Sequence, residues 1–220
     1  MLTEKEIETN KIKFIELIST IKRDGADIDG FLKWLNKSDF FIAPASTKYH
    51  CNYPGGLCEH SLNVYNNLIT LVEQFASHSE YIENEKGIAI NIVPNYSDDA
   101  IKLVSLLHDI SKTNFYEHYY RNTKDDNGNW VQVLEYKIKD DANRFIYGNH
   151  EQTSEYMAST FFPLTVEERS AILHHHGGRS WDSAQDDMSS VFNRYSLALL
   201  LHMADMLSTF INEKIDANTH

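Results

Sequence analysis

The chain has 220 residues, 20 Lys and Arg against 32 Asp and Glu, and a formal net charge of −12 with histidine neutral. No run of about 18 apolar residues occurs, so no membrane span is expected, and the charged start MLTEKEIETNKIKF lacks the apolar core of a signal peptide. The acidic balance argues against sequence-independent binding to duplex nucleic acid, and two cysteines, Cys51 and Cys58, are too few for a disulfide scaffold and fit a reducing cytoplasm.

Residues 4–22 predict a helix, with Ile7, Phe14, Ile18 and Ile21 on one stripe. Gly25 to Gly30 breaks it, and 31–37 reads as a short helix. Pro44, Pro54, Gly55 and Gly56 predict a loop over 43–56. A helix follows over about 57–77, where Leu57, His60, Val64, Leu68 and Leu71 recur at three- and four-residue spacing, which puts His60 on the buried stripe. Residues 78–95 read as irregular. Ser97-Asp98-Asp99 opens a helix to about 112 that is apolar almost all round. FYEHYYRNT and WVQVLEYKI flank Asn127-Gly128, which predicts an inserted β-hairpin over about 115–138. Helices are expected over about 151–162, from the capping box at Thr165 to about 176, and over about 189–213, with a polar loop over 179–188. No repeat or linker divides the chain. The expectation is one all-α domain, 1–220, with a small hairpin and the N-terminal helices 1–42 packed on it.

The chain carries 11 histidines. His108-Asp109 sits in an apolar helix, His60 on the buried face of another, and Asp205 inside the apolar run LLLHMADMLST. An ionised carboxylate in such a place is costly unless paired or metal-bound. Each residue alone has an ordinary reading as a satisfied buried polar group. A divalent cation shared among His60, His108, Asp109 and Asp205 offsets all these costs together, and this mixed N/O set suits Mn, Fe, Co, Ni or Zn better than Ca.

The order His, His-Asp, Asp resembles the HD superfamily of metal-dependent phosphohydrolases. The matching pieces are Gly56-Leu57-Cys58-Glu59-His60-Ser61-Leu62, Leu107-His108-Asp109-Ile110-Ser111-Lys112 and His202-Met203-Ala204-Asp205, within residues 54–210. The resemblance implies an HD-type helical bundle holding one or two divalent ions (Mn, Fe, Co, Ni, Mg or Zn). Many members add two histidines between the His-Asp pair and the last Asp. Here His150 in GNHEQTS and one of His174, His175 and His176 fall in that interval, with His175 the best match and Asp109 the bridge between two ions. Lys112 resembles the family's phosphate-binding lysine. Arg179, after the histidine run, is a candidate phosphate clamp, and a solvated loop arginine is its ordinary reading.

The resemblance implies hydrolysis of a phosphate ester in a small substrate, a nucleotide, by metal-activated water, with Asp109, Lys112 and Arg179 as the catalytic candidates. The hairpin aromatics Tyr116, Tyr119, Trp130 and Tyr136 either stack a base or pack the hairpin on the helices. The rival readings are a 3'-5' exonuclease on single-stranded nucleic acid, a di-iron oxygenase, and a non-catalytic metal- or nucleotide-binding module.

Overall fold

The computed structural model describes residues 1–77, 82–83, 89–90, 96–177 and 188–213. Helix α1 (Glu4–Ser19) begins at a capping box in which Thr3 and Glu6 satisfy each other's backbone N–H groups. It ends three residues before the predicted boundary, and Ile21 is buried beyond it. Helix α2 (Ile28–Leu35) starts three residues earlier than its apolar pattern indicates, because the Asp27 side chain accepts from Gly30 N–H and caps it. Turns fill the predicted loop.

Helix α3 (Gly56–Ser77) starts where the backbone of Gly56 lies against Cys51. A Cβ there would stand 2.1 Å from the Cys51 carbonyl oxygen. Leu57, His60, Val64 and Leu68 are buried along it, as their spacing requires. Strands β1 (Ile82–Glu83) and β2 (Ala89–Ile90) form a short antiparallel pair within a stretch expected to be irregular. Helix α4 (Asp98–Leu107), capped by Ser97, is buried on every side from Ala100 to Leu107.

The expected continuation of α4 to 112 is corrected. The helix ends at Leu107, Asp109 takes a bridging conformation (φ −108°, ψ 16°), and Ile110–Lys112 is a 3-10 turn. His108 and Asp109 therefore leave the helix end, where the chain changes direction, and are not adjacent positions on one cylinder. The hairpin is as expected: β3 (Tyr116–Lys124) pairs antiparallel with β4 (Trp130–Ile138), with Tyr116 opposite Ile138 and Lys124 opposite Trp130.

Helix α5 (His150–Phe161) opens at a capping box between Asn149 and Gln152, which makes His150 its first residue. Helix α6 (Val166–Leu173) opens at the Thr165 box and stops before the histidine run, so His174–His176 form a turn beyond its end. The expectation of a helix through 176 is corrected. The last predicted helix is also divided. Helix α7 (Met188–Arg194) and helix α8 (Ser196–Leu207) meet at Tyr195, whose φ of −127° and ψ of 86° break the spiral, and a π-turn covers Ser208–Asn212.

The fold is thus mainly α-helical with a small antiparallel hairpin. Its apolar residues gather in one cluster from α1 to α8. Helix α3 lies against α4 and α8, and α6 lies against α5 and α8. Arg23 grips Glu168 with both terminal nitrogens and holds the turn after α1 against α6. Among the described residues no helix is long and apolar enough to cross a membrane.

Candidate metal centre

Five helices and the turns at their ends bring the sequence-predicted residues together. Helix α3 supplies His60 from its buried stripe, the end of α4 supplies His108 and Asp109, the first turn of α5 supplies His150, the turn after α6 supplies His175 and His176, and α8 supplies Asp205. His60, His108, Asp109 and His175 are at most 1% exposed, and Asp205 is 7% exposed. The groups His60–His108–Asp109, His108–His175–Asp205 and Asp109–His150–His175–His176 each have ligand atoms close enough to hold an ion.

The donor set can be tested against an ion by tautomer. Ser105 and Ile172 present only carbonyl oxygens, so His108 donates from Nδ1 to Ser105 (2.8 Å) and His175 donates from Nδ1 to Ile172 (2.7 Å). His60 donates from Nδ1 to the Glu213 carboxylate (3.0 Å), and His176 donates from Nδ1 to Glu151 (2.8 Å). With each Nδ1 occupied, each Nε2 of the neutral ring carries a lone pair facing inward. The Nε2 atoms of His60 and His108 stand 3.2 Å apart. His175 Nε2 is buried with no hydrogen-bond partner among the described residues. Lone pairs converging in a dry interior repel unless an electrophile lies between them.

The distances agree. His60 Nε2 is 3.5 Å from Asp109 Oδ2 and 3.3 Å from Asp205 Oδ1. Ligand atoms bound at about 2.1 Å to one ion stand about 3.0–3.4 Å apart along octahedral or tetrahedral edges. The residues fit a divalent cation.

The two oxygens of Asp109 face different histidines. Oδ2 faces His60 and His108 (3.6 Å) and accepts from Lys112 Nζ (2.6 Å), while Oδ1 lies 2.5 Å from His150 Nε2 and 3.5 Å from His175 Nε2. One carboxylate thus joins two half-sites. The second is the more open, since the His150 and His176 side chains are 24% and 40% exposed. The centre meets solvent on that side.

Electrostatics point the same way. Burial works against ionisation of Asp109, Asp205, Glu213 and Glu151, yet all four are held below the ordinary carboxylate range. Asp109 is held there by Lys112 and the rings of His108 and His150, Asp205 by His60, Glu213 by His60 and Asn63, and Glu151, at about 2, by its bond from His176. Against these four stands the Lys112 ammonium, which burial disfavours but Asp109 holds charged. With neutral histidines, negative charge remains to be balanced among the described residues. Without an ion His60 balances part of it: burial opposes its charge, but Glu213 and Asp205 push its pKa up to about 10. His108, where burial prevails, falls to about 3.

The Lys112 side chain is 13% exposed and bound to Asp109. Of the histidine run, His175 and His176 both point into the centre. His174 turns back to the carbonyl of Ser170, 2.8 Å away. His202 donates to the carbonyl of His175 (2.7 Å) and packs against Gly177, whose φ of +66° and lack of a Cβ let the chain turn there. Arg179 lies outside the described residues. Of the hairpin aromatics, Tyr136 is buried, Tyr116 is half-buried, and Tyr119 and Trp130 are exposed, so packing accounts for only part of the set.

Three residues that sequence reasoning left without a role belong here. Glu213 and Glu151 orient His60 and His176. The position of Glu151 directly after His150 was the available signal, whereas Glu213 lies in a polar stretch that carries none. The His50 ring lies 4.8 Å from that of His60, with neither nitrogen partnered among the described residues. Burial, then the neighbouring His60 and Lys112, lowers it to about 4. The chain matches no protein-family model, no curated protein and no solved structure.

Proposed function

We propose that this chain is an HD-type metal-dependent phosphohydrolase acting on a small phosphate ester, a nucleotide in our reading, with a two-ion centre bridged by Asp109. The observation that carries the proposal is the division of the Asp109 carboxylate between His60/His108 and His150/His175. The ordered occurrence of His60, His108-Asp109 and Asp205, similar to the HD superfamily, supports it.

His60, His108, Asp109 and Asp205 would hold one ion, and His150, His175 and His176 with Asp109 the other. Bound transition metals supply an acidified water and neutralise phosphate oxygens. The protein's own groups do the rest. Asp109 stays ionised across the neutral range and serves as acceptor and orienter rather than as a proton store. Lys112 places its ammonium beside Asp109, where an equatorial phosphate oxygen gains a charged donor. His150 and His176 line the open side through which a phosphate reaches the centre. The apolar walls of α4 and α8 exclude water behind it, which strengthens each of these charges.

The test is elemental analysis of the purified protein and of Asp109→Ala, together with hydrolysis of a panel of nucleotide mono- and diesters. One or two equivalents of transition metal, with phosphate release that vanishes in Asp109→Ala, is the expected result. Metal binding without turnover of any ester would refute the hydrolase reading and favour a binding module. Equal turnover in both proteins would overturn the role of Asp109.

A further inference from the structure

A second concave site lies away from the metal centre. It is a cleft of about 580 Å³ between α2, α5 and the 3-10 turn Asp141–Asn143, a size usual for small-molecule sites. Its walls are of two kinds. Trp34 and Phe161 form a rigid aromatic side, their ring centres 5.8 Å apart and both packed on buried Phe31. Phe145, 54% exposed, is held in place by stacking on Tyr156, and Met157 adds a polarisable thioether.

The polar groups are neutral amides and a hydroxyl. Asn114 sits at φ +56°, held by reciprocal bonds with Asp39: its N–H donates to Asp39 Oδ1 (2.5 Å) and its Oδ1 accepts from Asp39 N–H (3.2 Å). That leaves the Asn114 amide NH2 unused among the described residues. The Asn143 side chain is likewise unpaired there. Thr113, 7% exposed, borders the cleft with its hydroxyl buried and without a hydrogen-bond partner among the described residues.

Among the described residues, Arg144 is the one charged residue lining the cleft. Its guanidinium is already bound to Asp141 and lies 4.9 Å from the Phe115 ring centre. The cleft thus offers stacking faces and neutral amides but no unbalanced charge. That combination suits an uncharged planar heteroaromatic ring. Aromatic faces stack such rings, and asparagine amides pair with their ring nitrogens and exocyclic groups.

We propose that this cleft binds a nucleobase-type ring, presented as a free nucleoside, at a site distinct from the metal centre. Along α5, Met157 and Thr160 stand about 10 Å and about 15 Å from His150 at the helical rise. The cleft is therefore not the place where an ester held at His150 reacts. Thr113 directly follows Lys112, so the two sites adjoin at the end of the Ile110–Lys112 turn and share α5, but no residue of the metal centre lines the cleft.

The experiment is calorimetric titration of adenosine, guanosine, cytidine and uridine into the full chain, with intrinsic tryptophan fluorescence as a second readout. At least one nucleoside is expected to bind one-to-one with a Kd below about 1 mM. Thr160→Trp, at an exposed cleft position, fills the space and is expected to weaken binding about tenfold or more with an unchanged melting temperature. Asp109→Ala is expected to bind as the parent does. If Thr160→Trp fails to fold, Asn143→Ala replaces it and is expected to lose affinity. No binding by any of the four overturns the proposal. So does binding that survives the cleft variants, or binding lost in Asp109→Ala, which would assign the ligand to the metal centre.

Discussion

Glu213 is the most informative residue to alter, because it meets the candidate ligand His60 at Nδ1 and not at the inward Nε2. Its carboxylate accepts from His60 Nδ1 at 3.0 Å and from Asn63 Nδ2 at 2.9 Å. It thereby fixes the tautomer that turns the His60 Nε2 lone pair inward. Outer partners of metal-bound histidines are worth about 10–100-fold in metal affinity, or about 1.4–2.7 kcal/mol. Glu213→Gln retains an acceptor oxygen near the same place and loses only the charge, so its loss belongs at the low end, about tenfold. Glu213→Ala removes the acceptor and leaves a buried ring free to rotate or change tautomer, so its loss belongs near a hundredfold. Competition for Mn or Zn against a chromophoric chelator measures both, with thermal melts to show that the fold persists. An affinity within about twofold of the parent for Glu213→Ala would refute the reasoning that Nδ1 anchoring organises the centre.

Other outcomes follow from the same geometry. Metal must displace the proton that His60 carries up to about pH 10, so apparent affinity is expected to rise about tenfold per pH unit across the neutral range, read by chelator competition at fixed ionic strength. In the metal-free protein the raised His60 value gives stability that is full below the unfolded value of 6.5 and is lost as pH rises through about 10. The depressed Asp109 and Asp205 values give stability present above the unfolded 3.8 and lost as pH falls through their folded values, so metal-free denaturant midpoints are expected to be highest between those unfolded values. Metal at a hundred times its Kd adds about 2.7 kcal/mol, a rise of roughly 5–10 °C in melting temperature for a chain of this size, which chelation should reverse. Gly177→Ala places a Cβ 2.8 Å from His202 Cε1 at a φ of +66°. It is expected to cost about 1–3 kcal/mol by chemical denaturation and to weaken metal binding through the His202–His175 contact. Arg23→Ala strands Glu168, which is 2% exposed, and is expected to cost about 3–5 kcal/mol with metal affinity unchanged.

The difference between what the sequence discloses and what it conceals follows from the range of the forces involved. Helices α3 and α4 and the hairpin are legible because local rules govern them: a 3.6-residue apolar period, a Ser cap, an Asn-Gly turn. The burial of His60, His108, Asp109 and Asp205 is legible because a polar group set within an apolar period is carried into the core with its neighbours. The end of α4 at Leu107 is not, since the residues through Ile110 continue the helical pattern. There the tertiary partners of Asp109, namely Lys112, His150 and His175, stand where the chain leaves the helix. The histidine run shows the same limit. Spacing on an ideal helix allows one inward residue of three consecutive ones, yet α6 ends first, and a turn lets His175 and His176 face the centre together.

The outer shell is concealed for a further reason. Glu213 meets His60 across 153 residues of sequence, and Glu151 meets His176 across 25. No local pattern encodes such a pairing. What the sequence does state is the cost: carboxylates and imidazoles placed in apolar helices must be compensated from elsewhere. The fold answers with one ammonium, Lys112, and a set of anchored Nδ1 atoms that leave the Nε2 lone pairs unspent. A protein that needed only buried polar groups satisfied could have paired each imidazole with a donor. The anchored Nδ1 atoms of His60, His108, His175 and His176 instead meet acceptors, so these rings are held as donors outward and as lone pairs inward. That polarity suits the cation proposed for the middle; without it, His60 carries a second proton toward Asp205 instead.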